Sequence, residues 1–400
     1  MNTDRSRILS FQSCPRSRYL GYHHLGTGIQ KKSKGLPLQF GSAFHLGTEA
    51  LLMNPPVEGV HDGFIEVAVE QAREFLAYEF SKRQVNFDNE TPDDVQKAME
   101  YGKEEQMALA EGLLRGWWAY EGESFLNTFD VIEVEQEGRA NLSYDLIFMY
   151  RPDAVVREKS TGDHYIISWK TASTFSPRNI KQSRVDMQSM SEVFGVMQSR
   201  GIKIEGVLYK YAVKGQRRRD SWDGLYKQSS HLIYGWKKLG NGGGDEAEWS
   251  WAYEFEREDG SGSSRLGKGW KKVAVWREYP GGVKQWINDL SANQVFPRHL
   301  DALQAIFPQS LPVERRKDEV ESWVRQITAQ EQDIDDRLKS LEGCHDLQGM
   351  LDVKFPQHTN SCHSYSGCSF IPICWEGAPA EVGELYQIRL SNHPEKGDDE

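Results

Sequence analysis

The most informative stretch of the sequence is RPDAVVREKSTGDHYIISWKT, residues 151–171. Two short runs rich in β-branched and aromatic residues flank a polar turn, a pattern that predicts a β-hairpin. The first run begins at Asp153 and the second ends at Lys170, so the strands bring a carboxylate beside an ammonium group. Such a pair suits metal-assisted hydrolysis of a phosphodiester, because the carboxylate can hold Mg²⁺ or Mn²⁺ while the lysine orients or deprotonates water. Taken alone, these residues are more simply explained as an ordinary hairpin with an acidic turn residue.

Further β-type runs lie on both sides of this hairpin. VIEVEQEG (131–138) and NLSYDLIFMY (141–150) come before it, and IKIEGVLYKYAVK (202–214) comes after it. Between the hairpin and the last run, residues 184–200 have the pattern of a helix. The order of four strands, a helix and a fifth strand predicts an α/β fold with a mixed central sheet flanked by helices.

The chain outside this region is mainly helical in pattern. A short helix is predicted from Ser10 to Tyr22, with Pro15 in its first turn. The run GSAFHLGTEALL (41–52) predicts another helix, which places His45 and Glu49 on one face. Further predicted elements are long helices at 62–87, 91–122 and 313–342 and an elaborated hairpin in 215–270. The predicted domains are N-terminal helices with Cys14 and the GSAFH motif (1–60), a helical insertion (61–125), the sheet-containing core (126–214), a hairpin and helical region (215–342), and a cysteine-rich segment with an acidic tail (343–400).

Three cysteines lie close together near the end of the chain. Cys362, Cys368 and Cys374 occur within thirteen residues, in SCHSYSGCSFIPIC. Thiolates at this density are typical of a Zn²⁺ or iron–sulfur site. Cys344, beside His345, is one candidate for the fourth ligand, and it would make the site local and favour zinc.

Several features resemble the PD-(D/E)XK nuclease superfamily, and along the chain they occur in the order that this family has. Asp153 and Lys170 match its core motif, and His45 in GSAFH matches the RecB-type histidine that reaches the metal, with Glu49 a weaker match. Gln188, in VDMQSMSEVFGV, resembles the glutamine of the Q-x-x-x-Y helix that precedes a strand. Cys14, with the three distal cysteines, resembles the split iron–sulfur staple of AddB-like nucleases. The resemblance covers residues 5–214 and 355–376 and is to RecB-like or AddB-like exonucleases of phage type.

This resemblance implies a restriction-endonuclease-like core that hydrolyses DNA phosphodiesters, as an exonuclease, in recombination, repair or phage replication. In that interpretation His45 and Asp153 hold Mg²⁺ or Mn²⁺, Lys170 activates water, and Gln188 positions the phosphate. The cysteines Cys14, Cys362, Cys368 and Cys374 would hold a structural 4Fe-4S cluster, with Zn²⁺ as the alternative. Binding of the cluster would join the two ends of the chain.

The chain departs from the family pattern at three points. Ser168 stands where the family has its second acid, Glu192 stands where the helix motif has tyrosine, and the cysteine spacing C-x5-C-x5-C has a longer first gap. A hydroxyl is a poor ligand for a hard cation. The acid could instead come from Glu135, from Glu49 or from Glu192. Two alternatives stay open: a weak site formed by Asp153, His45 and the carbonyl of Trp169, or a catalytically impaired module that only binds DNA.

The net charge of −11 argues against a nucleic-acid partner until the distribution of charge is considered. Residues 1–40 carry seven Lys or Arg and one acid, and residues 170–219 carry eleven Lys or Arg and three acids. A local positive surface is enough to bind phosphate. The predicted DNA contacts are Arg16, Arg18, Arg178, Lys214 and Arg217, although a solvated charged surface explains the same runs.

The remaining expectations concern location and partners. The polar N-terminus lacks an apolar signal segment, and no run is long and apolar enough for a membrane span, so we expect a reducing cytoplasm, that of a bacterial host if the chain is phage-encoded. We expect linear single- or double-stranded DNA ends as partners. No GxxxxGK[ST] motif occurs, so any helicase, recombinase or single-strand-binding partner would be a separate chain.

Overall fold

A computed structural model describes most of the chain. The described residues are 2–32, 36–55, 63–82, 92–214, 218–219, 226–227, 232–238, 249–250, 270–292, 303–304, 306–309, 312–363, 368–380, 382–383 and 385–389. The helices are α1 Arg5–Ser13, α2 Pro15–Tyr22, α3 Leu36–Met53, α4 Gly63–Ser81, α5 Pro92–Trp117, α6 Glu123–Thr128, α7 Pro177–Arg184, α8 Met187–Arg200, α9 Val275–Glu278, α10 Gly282–Ala292, α11 Lys317–Lys339, α12 Leu347–Lys354, α13 Thr359–Cys362 and α14 Ile371–Trp375, with a 3-10 turn at His24–Gly26 and a π-helical turn at Trp118–Gly122. The strands are β1 Asn2–Asp4, β2 Ile29–Lys31, β3 Phe129–Val134, β4 Gly138–Asn141, β5 Ile147–Tyr150, β6 Ala154–Glu158, β7 His164–Ala172, β8 Ile204–Val213, β9 Arg218–Arg219, β10 Tyr226–Lys227, β11 Tyr234–Lys238, β12 Trp249–Ser250, β13 Trp270–Ala274 and β14 Tyr386–Ile388.

The central sheet has four strands in the order β3-β6-β7-β8. Strand β6 pairs in an antiparallel manner with both β3 and β7, and β7 and β8 are parallel. Helices α7 and α8 form the crossover that a parallel pair requires. The mixed α/β class predicted from the sequence is therefore confirmed, and β6 and β7 form the predicted hairpin, with Ala154 opposite Ile167.

The run at 141–150 does not join the central sheet as expected. It belongs to β4 and β5, which form a separate three-stranded sheet with β1 in the order β1-β5-β4. The backbone N–H of Leu142 donates to the carbonyl of Leu146 (2.9 Å), which closes a turn with Tyr144 fully exposed at its tip. The polar residues inside the run are the physical reason, because Ser and Asp favour turns.

The two faces of the central sheet bury two hydrophobic clusters. Alternate residues of a strand point to opposite faces. Ile167 and Trp169 pack with α3 and α5, where the Trp169 ring meets the ring of Trp117 edge-on at 4.9 Å. Ile166 packs on the other face with Trp323 of α11. The sheet is thus covered on both faces, and the site described below lies where its polar side chains emerge.

The predicted helix from Ser10 to Tyr22 is two helices, α1 and α2, and it begins earlier than expected. Cys14 lies between them in an extended conformation (φ −161°, ψ 112°). The ring of Pro15 accounts for the break, since a residue before proline avoids the helical region.

The C-terminal segment returns to the N-terminus. Strands β14 and β2 pair in an antiparallel manner, and Leu20, Phe370 and Tyr386 share one buried cluster. Arg389 donates its backbone N–H to the carbonyl of Gly28 (2.9 Å). The C-terminal segment therefore packs against the N-terminal region through strand pairing and apolar contacts, while the joining of the chain ends by a cysteine-bound cluster stays a prediction.

The other predicted elements agree in part. The long helices are present as α4, α5 and α11. Most of the predicted hairpin at 215–270 lies outside the described residues, although β11 pairs with β12 and β13. Among the helices of the described segments, none combines the length and apolarity that a membrane crossing requires.

Candidate metal centre and the lysine beside it

Asp153 lies immediately before β6, and its side chain is held by the neighbouring strand. One carboxylate oxygen, Oδ2, accepts the backbone N–H of Trp169 at 2.6 Å. The residue is only 7 % exposed. This hydrogen bond fixes the carboxylate beside the end of β7, next to the position that Lys170 occupies in the chain.

Two further side chains approach the other carboxylate oxygen of Asp153. Nδ1 of His45, on α3, lies 3.3 Å from Asp153 Oδ1 and 3.5 Å from Glu135 Oε1. The ligand atoms of these three residues all lie within 4.8 Å of one another. In the part of the chain that the structure describes, this is the one group of three or more His, Cys, Asp or Glu side chains that meets that distance.

Glu135 reaches this position through an irregularity at the end of β3. The register of β3 against β6 shifts between Val131 and Glu133, as in a β-bulge. Glu135 then adopts a left-handed conformation with φ +47°. Bulges re-aim side chains, and strained backbone is often found at functional sites. Nε of Arg151 pairs with Oε2 of Glu135 at 2.9 Å, which leaves Oε1 directed at His45.

The electrostatics of the group reflect two carboxylates around one imidazole. Burial acts to lower the pKa of His45, but the charge of Asp153 and the hydrogen bonds to Asp153 and Glu135 raise it to about 10. Burial acts to raise the pKa of Asp153, yet His45 and then Lys170 hold it below its usual value. Burial raises the pKa of Glu135. The site therefore stabilises positive charge between its two acids.

This donor set fits a hard divalent cation. Two carboxylates and one imidazole on separate elements leave room for water or substrate oxygen to complete the coordination, as Mg²⁺ or Mn²⁺ requires. Glu49 does not belong to the group. Trp169 contributes its N–H to orient Asp153, and its carbonyl as a metal ligand stays a prediction.

Lys170 meets the helix that follows the hairpin. Its Nζ donates to Gln188 Oε1, and Oδ2 of Asp186 lies 3.9 Å from the same Nζ. The predicted neighbourhood of Lys170 and Gln188 is thus present. Arg5, which lies in the basic N-terminal run, also donates to Gln188 Oε1, from NH1 at 2.6 Å. Nothing in the local sequence of Arg5 indicates this contact, because β1 and α1 bring it from the far end of the chain.

Ser168 and Glu192, the two departures from the family pattern, are both buried. Ser168 is 1 % exposed and Glu192 is 4 % exposed. Among the described residues, Ser168 Oγ and Glu192 Oε2 have no hydrogen-bond partner, while Glu192 Oε1 accepts from Gln188 Nε2 at 2.7 Å. Burial, and then the charge of Asp153, raise the pKa of Glu192 to about 8. A neutral Glu192 would explain why burying this acid is tolerated.

Four of the five cysteines share one neighbourhood near the chain ends. Burial is the main cause that raises the pKa of Cys368, and it raises the pKa of Cys374 to about 11. The charges of Cys14 and Cys362 act in the same direction on both thiols. Backbone N–H groups point at two of the sulfurs: His358 N lies 3.4 Å from Cys14 Sγ, and Phe370 N lies 3.5 Å from Cys368 Sγ. Within the described residues, no three of these sulfurs lie within 4.8 Å of one another.

Cys344 has a different environment. Its S–H donates to the carbonyl of Asp346 at 3.5 Å. Cys344 is not among the groups whose charges shift the pKa of Cys368 and Cys374. Both ligand sets, Cys14 with the three distal cysteines and the local set with Cys344 and His345, stay predictions.

The predicted DNA contacts divide into two groups. The prediction is wrong for Arg16 and Arg18, which are 6 % and 1 % exposed. Arg16 pairs with Asp352 (2.6 Å) and Arg18 with Glu331 (2.7 Å), so both guanidinium groups are engaged inside the protein. The remaining three stay predictions: Arg178 is exposed, Lys214 is half-buried with Nζ 5.2 Å from the centre of the Phe40 ring, and Arg217 lies outside the described residues.

Comparison with known proteins gives no family. No protein-family model matches the chain, and no curated protein matches it significantly.

Proposed function

We propose that this protein is a metal-dependent DNA nuclease of the PD-(D/E)XK type that cleaves from DNA ends as an exonuclease. The observation that carries the proposal is the approach of His45, Glu135 and Asp153 at the edge of the same sheet from which Lys170 projects. Three metal donors beside a lysine form an arrangement suited to hydrolysis of a phosphodiester. A role in recombination, repair or phage replication, with a separate helicase, recombinase or single-strand-binding protein, belongs to the same proposal.

In this proposal each residue has a defined task. His45, Glu135 and Asp153 would hold Mg²⁺ or Mn²⁺, which when bound would lower the pKa of water and neutralise charge on the phosphate. Lys170 orients the attacking water and stabilises the charge that develops on phosphate oxygen. Gln188 keeps the ammonium group in position through Oε1. The N–H of Trp169 holds the carboxylate of Asp153 in the orientation that faces His45.

The acid missing at Ser168 is supplied, in this proposal, by Glu135. Its Oε1 lies 3.5 Å from Nδ1 of His45, and Asp153 Oδ1 lies 3.3 Å from the same nitrogen. Two carboxylates are therefore present although the strand carries a serine. Glu135 has this geometry, whereas Glu192 is outside the group of three and its Oε1 accepts a hydrogen bond from Gln188 Nε2.

We also propose that Cys14, Cys362, Cys368 and Cys374 bind a structural 4Fe-4S cluster. Support comes from the mutual influence of their charges and from the N–H groups directed at Cys14 and Cys368, since such hydrogen bonds are typical of cluster thiolates. Tetrahedral zinc with bonds of about 2.3 Å requires sulfurs roughly 4 Å apart. Within the described residues no three of these sulfurs lie within 4.8 Å of one another, so the metal content of the purified protein decides between the cluster and Zn²⁺.

The experiment is cleavage of end-labelled linear single- and double-stranded DNA by anaerobically purified protein with Mg²⁺ or Mn²⁺. Lys170→Ala is compared with Lys203→Ala, because Lys203 is an exposed lysine paired with Glu205 on the surface. We expect metal-dependent cleavage that Lys170→Ala abolishes and Lys203→Ala retains. Equal cleavage by both variants would contradict the role of Lys170.

A second candidate is a catalytically impaired module that binds DNA without cutting it, and the observation that favours it is the buried serine at 168. Tight DNA binding by the unmodified chain, with no cleavage in either metal, would support this candidate. Absence of both binding and cleavage would reject the nuclease interpretation altogether.

A further inference from the structure

Arg5 is held firmly at the junction of a strand and a helix. It is the first residue of α1 and directly follows β1, which pairs in parallel with β5 through Asp4 and Met149. Oδ1 of Asp4 caps α1 by accepting the backbone N–H of Arg7 at 2.9 Å. The backbone of Arg5 is therefore fixed on both sides, and its side chain is directed toward α8.

Two cationic side chains converge on one neutral atom at this point. Arg5 NH1 and Lys170 Nζ both donate to Oε1 of Gln188. Two like charges this close repel each other by about 1–4 kcal/mol, depending on the local dielectric. The amide oxygen carries only a partial charge, and Asp186 Oδ2, at 3.9 Å from Lys170 Nζ, offsets part of the repulsion on the lysine side.

The side chain of Arg5 also retains an unused donor. Its Nε is buried and, among the described residues, has no hydrogen-bond partner. Glu192, the acid of α8, is close enough for the charge of Arg5 to act on it, but its Oε1 accepts from Gln188 Nε2 and its Oε2 has no hydrogen-bond partner among the described residues. An arginine presents a planar set of donors that fits the oxygens of a phosphate group, and the edge that carries Nε also carries NH2 and is separate from the NH1 that contacts Gln188.

We propose that Arg5 and Lys170 together form a phosphate-binding position that holds a phosphodiester of the DNA strand beside the metal centre. The proposal rests on the proposed function and adds to it a residue outside the family motifs. In the absence of DNA, Oε1 of Gln188 holds both cations in place. In the complex, phosphate oxygens take over the contact with Arg5, and the negative charge removes the repulsion between the two cations.

The test compares Arg5→Gln with Arg7→Gln. Arg7 is a matched control, because it lies two residues along the same helix but pairs with Asp4 and lies over the ring of Tyr22. Binding of a short single-stranded oligonucleotide is measured by fluorescence anisotropy in Ca²⁺ over a range of salt concentrations. We expect Arg5→Gln to bind about tenfold more weakly and to lower the slope of log affinity against log salt by about 0.7. Arg7→Gln should remain within about twofold of the unmodified chain.

Arg5→Lys keeps the charge without the planar donors, so it should restore the salt slope and only part of the affinity. Thermal melting of each variant identifies any that fails to fold, in which case Arg5→Lys alone decides the question through its reduced affinity at unchanged slope. Unchanged affinity and slope in Arg5→Gln, or unchanged affinity in Arg5→Lys, would show that Arg5 only braces Gln188 and would overturn the proposal. These results are distinct from failure of the proposed function: a chain that binds DNA through Arg5 but does not cleave it would reject hydrolysis alone.

Discussion

Glu135 donates its backbone N–H to the carbonyl oxygen of Asp153 at 3.1 Å, so the residue after the end of β3 and the residue before β6 are joined directly. Their carboxylates then face the same nitrogen of His45. The backbone bond links two acids that are eighteen residues apart in the sequence. It explains how a chain with serine at position 168 still brings two carboxylates to one imidazole.

Glu135→Gln should therefore reduce metal-dependent cleavage and Mn²⁺ binding strongly, by at least about 100-fold in kcat/KM, because the amide removes a charged ligand. Ser168→Asp should change cleavage by less than about tenfold, since the site already has two acids. Metal binding is measured by titration of Mn²⁺ with electron paramagnetic resonance, which does not depend on activity. Glu137→Gln is the control, because Glu137 is exposed two residues further along the chain. A large gain of activity in Ser168→Asp would show instead that the natural site is crippled.

The buried pair of Arg18 and Glu331 gives a prediction about stability. Their side chains are 1 % and 0 % exposed, and Arg18 NH2 lies 2.7 Å from Glu331 Oε2. Removing one charge leaves the other buried and uncompensated, which costs about 3–5 kcal/mol of unfolding free energy. We expect this loss in Arg18→Met, and its recovery in the double variant Arg18→Met/Glu331→Leu, by urea denaturation.

The control for this prediction is an exposed ion pair. Arg316 and Asp318 are 69 % and 73 % exposed, so Arg316→Ala should change stability by less than about 1 kcal/mol. If Arg18→Met were as mild as Arg316→Ala, the guanidinium would not be holding α2 to α11 as the structure indicates.

The sequence predicted the elements around the site better than the contacts within it. The hairpin, His45 on a helix and the helix carrying Gln188 follow from local periodicity, which is why they were found. Glu135 was one of three possible acids, because a bulge and a positive φ depend on pairing between strands and leave no local signal. Arg16 and Arg18 were misassigned, since a basic run does not reveal that Asp352 and Glu331, more than 300 residues away, neutralise it.

The pH dependence of stability should contain a contribution from His23. Burial, and then the charges of Arg18 and Arg7, lower the pKa of His23 to about 4, and its Nε2 lies 3.2 Å from Arg18 Nε, which requires the neutral ring as acceptor. In the unfolded chain the pKa is about 6.5. Between these two values the unfolded chain binds a proton that the native protein does not, so stability falls as the pH falls through this window.

His23→Gln should therefore lose less stability than the unmodified chain when the pH is lowered from 7 to 5, by about 2 kcal/mol. The free energy of unfolding in urea at the two pH values measures this difference. His345→Gln serves as the control because His345 is exposed, and it should follow the unmodified chain. Identical pH dependence in His23→Gln would show that His23 is protonated in the native state.

The cysteines give a prediction with an optical and a thermodynamic measurement. Anaerobically purified protein should be brown and contain four iron atoms per chain, and Cys14→Ala should lose both the colour and the iron. In the proposed cluster Cys14 would be joined to residues about 350 positions later, so loss of this crosslink should also lower the free energy of unfolding by up to about 5 kcal/mol. Cys344→Ala is the matched control, since its thiol donates to the carbonyl of the nearby Asp346. Protein that is colourless and contains one zinc per chain would assign the four thiols to zinc, and the two metals are distinguished by elemental analysis. Retention of the full metal content in Cys14→Ala would contradict the joining of the chain ends through a metal, because the packing of β14 on β2 would then hold them without it.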